Sequence, residues 1–110
     1  MSTHVLDTSS GRPAAGVAVR LLRLDGAAWT PVSETATNAD GRVAALLPAG
    51  ETAPAGNYRL TFDAGAYFAS MQQETFYTTI AIDFVVGSGA QHYHVPLLLS
   101  PYGYATYRGS

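Results

Sequence analysis

His92 and His94 stand two residues apart in the segment Gln91–Leu99. In an extended strand that spacing puts both imidazoles on one face, while Tyr93, Val95, Leu97 and Leu99 form an apolar row on the other. The apolar row must face a core, so the histidines point away from it. Three readings follow. The pair could be solvated surface, since exposed polar residues are ordinary. It could supply two ligands of a metal ion. It could also do acid–base work, because imidazole alone among side chains titrates near neutral pH unperturbed. A metal site needs further donors, yet the chain has no cysteine, its third histidine is His4, and no acidic residue lies near His92 in sequence. The expectation is therefore no metal.

Arg42 follows the turn Asn38-Ala39-Asp40-Gly41. It is either a solvated strand-end charge or a fixed planar cation for a carbonyl oxygen or a delocalised anion. His4 shares its strand side with Leu6 and says little alone. The tail from Tyr102 to Ser110 holds three of the seven tyrosines. Chain ends usually fray, so one this aromatic is expected to be tied down, against another subunit or as an ordinary edge strand.

These groups need a scaffold, and the pattern supplies short strands. In Asn57–Asp63, Tyr58, Leu60 and Phe62 face one way and Arg59, Thr61 and Asp63 the other. Thr79–Val86 does the same with Ile80, Ile82, Phe84 and Val86. Val17–Leu24 alternates until Leu21-Leu22, where a change of phase predicts a bulge or burial on both faces. Turn signals at Ser10-Gly11-Arg12-Pro13, Asp25-Gly26, Asn38–Gly41 and Gly87-Ser88-Gly89 separate the runs, a spacing that indicates an all-β sandwich or barrel. The predicted strands lie near 3–8, 16–24, 29–37, 41–46, 57–63, 79–87, 91–99 and 102–109. One helix is predicted over Ala64–Gln72, capped by Asp63, with Tyr67, Phe68 and Met71 at helical spacing.

Composition narrows the function classes. A chain of 110 residues reads as one domain, 1–110, able to bury roughly two-thirds of its unfolded surface. All six basic residues are arginine and the net charge is −2, which provides no electrostatic footprint for nucleic acid or an anionic membrane. Without cysteine there are no disulfides. No stretch approaches the ~20 apolar residues of a membrane span. The N-terminus lacks a basic start and apolar run, and Arg108-Gly109-Ser110 is not a peroxisomal address of the Ser-Lys-Leu type, so a cytoplasmic location is expected.

Taken together, Thr3-His4-Val5-Leu6-Asp7-Thr8, Gly11-Arg12-Pro13-Ala14 and Leu97-Leu98-Leu99-Ser100-Pro101-Tyr102 resemble the transthyretin superfamily over essentially the whole chain. The 5-hydroxyisourate hydrolase branch of that superfamily carries His-Val-Leu-Asp at its start, Asp-Gly-Arg after the middle turn, His-Val-Pro-Leu in the seventh strand and Tyr-Arg-Gly-Ser at its end. This chain matches with His4, Arg42, His94 and Tyr107-Arg108-Gly109-Ser110. The vertebrate hormone carrier instead has lysine, glutamate and threonine at the first three positions and a longer tail.

The resemblance implies a prealbumin-like sandwich of two four-stranded sheets, with one short helix between the fifth and sixth strands. It implies a homotetramer, a dimer of dimers, with sites at the dimer–dimer interface and no cofactor. Its substrate would be the oxidised purine 5-hydroxyisourate, opened to a ureido-imidazoline carboxylate by an activated water. His4 and His94 would share the proton work, Arg42 would stabilise developing negative charge, and Ser110 would position substrate or water. His92, Tyr107, Arg108 and Gly109 would contact substrate or shape the cleft. The rival expectation is a carrier of small aromatic ligands on the same fold, which has no need of the His/Arg/His/Ser set.

Overall fold

Strands with one apolar side must bury that side against a partner, and here two sheets do this for each other. The computed structural model of the chain describes residues 1–89 and 91–110. In chain order the elements are β1 (Ser2–Asp7), β2 (Arg12–Pro13), β3 (Ala18–Asp25), β4 (Ala28–Ala36), β5 (Arg42–Val43), β6 (Gly56–Asp63), α1 (Ala64–Ser70), β7 (Thr79–Val86), β8 (His94–Ser100) and β9 (Gly103–Thr106). One sheet has the order β4-β3-β6-β7. The other has the order β2-β1-β8-β9, with β5 also paired to β1. The mostly-β sandwich and its short helix are as expected, but the helix falls between the sixth and seventh strands rather than the fifth and sixth, because Arg12–Pro13, expected as a turn, pairs with β1 as an additional strand. The second sheet, however, has five strands, because the two-residue strands β2 and β5 share one edge of β1.

The alternation read from the sequence is the alternation that is buried. Tyr58, Leu60, Phe62, Ile80, Ile82 and Val86 meet Val5, Val95, Leu97 and Leu99 from the facing sheet. Burying each large side chain contributes roughly 1.5–3 kcal/mol relative to exposure. The phase change at Leu21-Leu22 is a register shift in the β3–β4 pairing, with Leu21 opposite Ser33 and Leu22 opposite Pro31. Pro31 sits on the edge strand β4, where a missing N–H is tolerated. Asp25 pairs with Ala28 across a two-residue turn, and Gly26 takes φ +60°, as a type II′ hairpin requires at that position.

Three predicted boundaries need correction, each for a pairing reason. The strand predicted over 41–46 shrinks to Arg42–Val43, since β5 reaches only the first half of β1 and β2 occupies the second. The strand predicted over 91–99 begins at His94, because its neighbour β1 begins at Ser2, which is registered with His94. The strand predicted over 102–109 is continuous only over Gly103–Thr106. The next residue, Tyr107, would fall opposite Pro96, which has no N–H to offer, and pairing resumes at Gly109 opposite His94. The helix stops at Ser70 rather than at 72. Its N-cap is Asp63, whose carboxylate accepts from the Ala66 amide at 3.0 Å.

Helix α1 also fixes the strand that carries His4. The Tyr67 hydroxyl donates to the buried Asp7 carboxylate at 2.8 Å. The other Asp7 oxygen accepts from the Ser9 amide and hydroxyl and from the Ser10 amide. Burial alone would raise the Asp7 pKa, but these hydrogen bonds outweigh it and hold the carboxyl below its ordinary value. Burial and the bond to Asp7 push Tyr67 up to about 12. No helix among the described residues is long and apolar enough to cross a membrane.

Candidate active site

β1 and β8 run side by side in the same direction, and their register builds the site. Thr3, Val5 and Asp7 of β1 point inward and are buried, which turns Ser2, His4 and Leu6 outward. Residues directly opposite in a sheet share a face and stand roughly 4.5–5.5 Å apart between Cβ atoms. Two rows therefore cross the outer face. One contains Arg42, His4 and Pro96; the next contains Ser2, His94 and Gly109. Three groups far apart in sequence, His4, Arg42 and His94, come together on this face.

Arg42 is aimed by a turn that leaves little freedom. The Asn38 side-chain oxygen accepts from the Asp40 amide at 2.9 Å and the Arg42 amide at 3.0 Å, and the Gly41 amide donates to the Asn38 carbonyl at 2.9 Å. Gly41 has φ +72°. A Cβ there would run into the Val5 carbonyl and lie 3.1 Å from the Ala14 nitrogen, so only glycine fits. The Gly41 carbonyl in turn accepts from the Val5 amide at 2.7 Å, tying the turn to the strand of His4.

His94 is half-buried and held on two sides. Its Nδ1 lies 2.8 Å from the Ser2 hydroxyl. Its carbonyl accepts from the Gly109 amide at 2.8 Å, and a Cβ on Gly109 would stand 2.5 Å from the imidazole Cδ2. The tail is thus fastened to this chain's own β8 and lies against the imidazole without a side chain between. Burial lowers the His94 pKa from its ordinary value, and the positive charges of Arg42, His4 and His92 push the same way. Hydrogen bonding to the Ser2 backbone acts against them. Among the described residues, no carboxylate forms an ion pair with His4, Arg42, His92 or His94. No group of three or more His, Asp or Glu side chains among those residues is arranged to hold a metal ion.

The other expected residues are placed unequally. His92 precedes β8 rather than belonging to it, yet its Nε2 lies 3.1 Å from the same Ser2 hydroxyl that bonds His94. Ser2 joins two of the expected residues and was not singled out from the sequence. Its signal, the outward parity it shares with His4, acquires meaning only through the parallel β1–β8 register. Arg108 turns away from the imidazoles: its guanidinium lies 4.7 Å over the Tyr93 ring and donates to the Gln91 side chain at 3.0 Å. Tyr107 and Arg108 line a cavity of about 360 Å³ between β7 and the start of β8, together with Asp83, Phe84, Tyr93 and His94. Ser110 is exposed, one residue beyond the point where Gly109 meets His94.

The family model for the HIUase/Transthyretin family matches residues 1–109. The chain belongs to this family. It is similar to the 5-hydroxyisourate hydrolase of Mesorhizobium japonicum, with 51% identity over all of this chain and 91% of that protein. The structure of Klebsiella pneumoniae 5-hydroxyisourate hydrolase superposes with a TM-score of 0.87 at 45% identity, covering 99% of this chain and 97% of that one. Sea bream transthyretin in complex with thyroxine superposes with a TM-score of 0.91 at 31% identity, covering 98% and 92%. The sandwich is therefore shared by proteins that bear different names, so the fold alone does not fix the function.

Proposed function

We propose that this protein hydrolyses 5-hydroxyisourate, opening its six-membered ring to a ureido-imidazoline carboxylate in the degradation of urate. It is an enzyme, a hydrolase acting on a cyclic amide C–N bond, in line with relatives of that name at 45–51% identity. The observation that carries the reading is the meeting of His4, Arg42 and His94 on one sheet face with Gly109 seated against the His94 ring. A carrier of apolar ligands needs no such charged row.

In the proposed mechanism His94 Nε2 takes a proton from water as the water oxygen bonds to the ring carbonyl carbon. A His94 pKa held below its ordinary value keeps the imidazole neutral and its lone pair available near neutral pH. The guanidinium of Arg42 stabilises the oxyanion of the tetrahedral intermediate, a charge that develops only along the reaction. The C–N bond then breaks, the electron pair goes to the ring nitrogen, and that nitrogen receives a proton from the histidine pair. His4, registered between Arg42 and the strand of His94, orients the water or donates that proton. Ser110 positions substrate through its hydroxyl or terminal carboxylate, while His92, Tyr107, Arg108 and Gly109 shape the site. No covalent nucleophile and no cofactor enter this scheme. We further propose a homotetramer, a dimer of dimers, whose dimer–dimer interface closes the cleft over the outer face of β1 and β8.

The test is a spectrophotometric assay in which urate oxidase generates 5-hydroxyisourate in place. The protein should accelerate its disappearance, and His4→Ala and His94→Ala should each lower kcat by about 10²–10⁴-fold with the assembly intact by light scattering. Parental rates in either variant would remove that histidine from the mechanism. No acceleration by the parental protein would overturn the activity itself.

A further inference from the structure

The Ser2 hydroxyl sits between two imidazoles, 2.8 Å from His94 Nδ1 and 3.1 Å from His92 Nε2. It has one proton and can donate to only one of them, so the other ring must donate to it. That restriction leaves two arrangements for neutral rings. In one, Ser2 donates to His94 Nδ1, the His94 proton sits on Nε2, and the ring has no lone pair left for water. In the other, His94 Nδ1–H donates to Ser2, Ser2 donates to His92 Nε2, and His94 Nε2 is free as a base.

We propose that Ser2 and His92 are positioning residues that form a proton relay behind His94, with Ser2 selecting the Nδ1–H tautomer and His92 receiving the proton that His94 passes back. The inference rests on the reading of His94 as general base. As His94 Nε2 takes the proton of water, its Nδ1 proton moves to the Ser2 oxygen and the Ser2 proton moves to His92 Nε2. His94 is then neutral with its proton on Nε2, and the positive charge lies on His92. When His94 gives that proton to the leaving nitrogen, the relay runs backwards and Nδ1 is reprotonated through Ser2. No proton is created or lost, and one imidazole serves as base and then as acid.

Two features of the site favour this arrangement. The charges that act on His94 are those of Arg42 from β5, His4 from β1 and His92 from the segment before β8, and each disfavours a second positive charge on its ring. A charge left on half-buried His94 would stand against Arg42, whereas His92 is exposed and water can solvate it. The relay is also rigid at its centre. The Ser2 amide donates to the Tyr93 carbonyl at 2.9 Å, so the backbone between the two histidines is itself bonded to Ser2.

The relay is tested on the full chain by imidazole ¹⁵N chemical shifts, alongside kinetics of Ser2→Ala, Ser2→Thr and His92→Ala. Neutral His94 should be the Nδ1–H tautomer in the parental protein and revert in Ser2→Ala to Nε2–H, the form free imidazole side chains prefer. Ser2→Ala and His92→Ala should lower kcat by about 10²-fold, the lower end of what positioned acid–base groups contribute, with KM little changed. Ser2→Thr should recover most of the rate, since threonine keeps the hydroxyl and suits a strand. A parental His94 in the Nε2–H form, or kcat unchanged in both alanine variants, would overturn the relay. A Ser2-dependent tautomer in a protein inert towards 5-hydroxyisourate would support the relay and count against the substrate.

Discussion

The two sheets present outer faces of opposite electrostatic character. On the outer face of the β4-β3-β6-β7 sheet, the side-chain nitrogens of Arg20 and Arg59 lie 3.8 and 2.6 Å from oxygens of Glu34 and Asp83. Each cation there has a carboxylate beside it. The outer face of β1, β5 and β8 gathers Arg42, His4, His92 and His94 without a carboxylate ion pair among the described residues. The consequences are visible in single groups. The hydrogen bond to Asp83 raises the Arg59 pKa and lowers that of Asp83, so each partner favours the charged form of the other. On the other face, burial and like charge both disfavour the charged form of His94. A face that neutralises itself has nothing left to offer a substrate. In the proposed reaction it is the unneutralised face that meets the oxyanion and transfers the proton.

Reversing one arginine on each face sharpens that contrast. Of the two reversals Arg42→Glu should cause the larger change, about a 10²–10³-fold fall in kcat, comparable to losing an oxyanion donor. Its carboxylate would also pair with the imidazoles and make this face resemble the other one. Initial rates in the urate-oxidase-coupled assay measure it. A rate within twofold of the parental value would mean that the uncompensated cation is incidental.

Gly41→Ala attacks the same face through its backbone. At φ +72° a side chain is strained, and the new Cβ would collide with the Val5 carbonyl. The expected cost is about 1–3 kcal/mol of stability, seen as a lower thermal midpoint. The rate should fall as well, by about tenfold, because displacement of the turn misplaces Arg42. A variant with parental midpoint and rate would show that the turn does not set the arginine.

The pH profile tests the electrostatic half of the comparison. Since the His94 pKa is lowered, the acid limb of kcat/KM should lie below pH 6.5, the ordinary histidine value. Arg42→Gln removes one of the charges that lower it and should move that limb upward, whatever the absolute rate. The stability consequence has a definite sign. A histidine depressed in the folded state binds its proton more readily when unfolded, so its effect is to weaken the fold as pH falls from 6.5 towards the folded pKa. An acid limb at or above 6.5 in the parental protein, or one that Arg42→Gln leaves in place, would contradict the assignment.

How much of this was legible depended on whether the information was local. The alternations in Asn57–Asp63 and Thr79–Val86, the phase change at Leu21-Leu22 and the Asp63 cap all declare themselves within a few residues, and all are present. The outward parity of His94 was equally local. Pairing was not. The early start predicted for the strand of His92, the excess length predicted for β5, and the interrupted pairing of the tail each depend on what stands alongside. Pro96 shows the difference: its missing N–H is plain in the sequence, but its effect on the tail depends on Tyr107 falling opposite. Ser2 was unreadable for the same reason, since nothing near it in sequence shows that β8 runs parallel beside β1.

Arg59→Glu, the matching reversal on the self-neutralised face, should have the smallest effect. It breaks the paired bonds from Arg59 Nε and Nη2 to Asp83, at 2.6 and 2.9 Å, and sets two carboxylates against each other. Arg59 and Asp83 are open to solvent, so water and salt screen the repulsion, and the thermal midpoint should fall only slightly, less so as salt is added. Trp29, the only tryptophan, provides a local reporter, because the Arg59 guanidinium lies 4.2 Å over its ring. Its fluorescence should change while kcat and KM remain parental. Asp83, released from Arg59, should titrate at higher pH, so the part of the acid-side stability loss that comes from its depressed pKa should disappear. A substantial loss of activity in Arg59→Glu would show that the paired face is coupled to catalysis, and the division of labour between the two sheets would then fail.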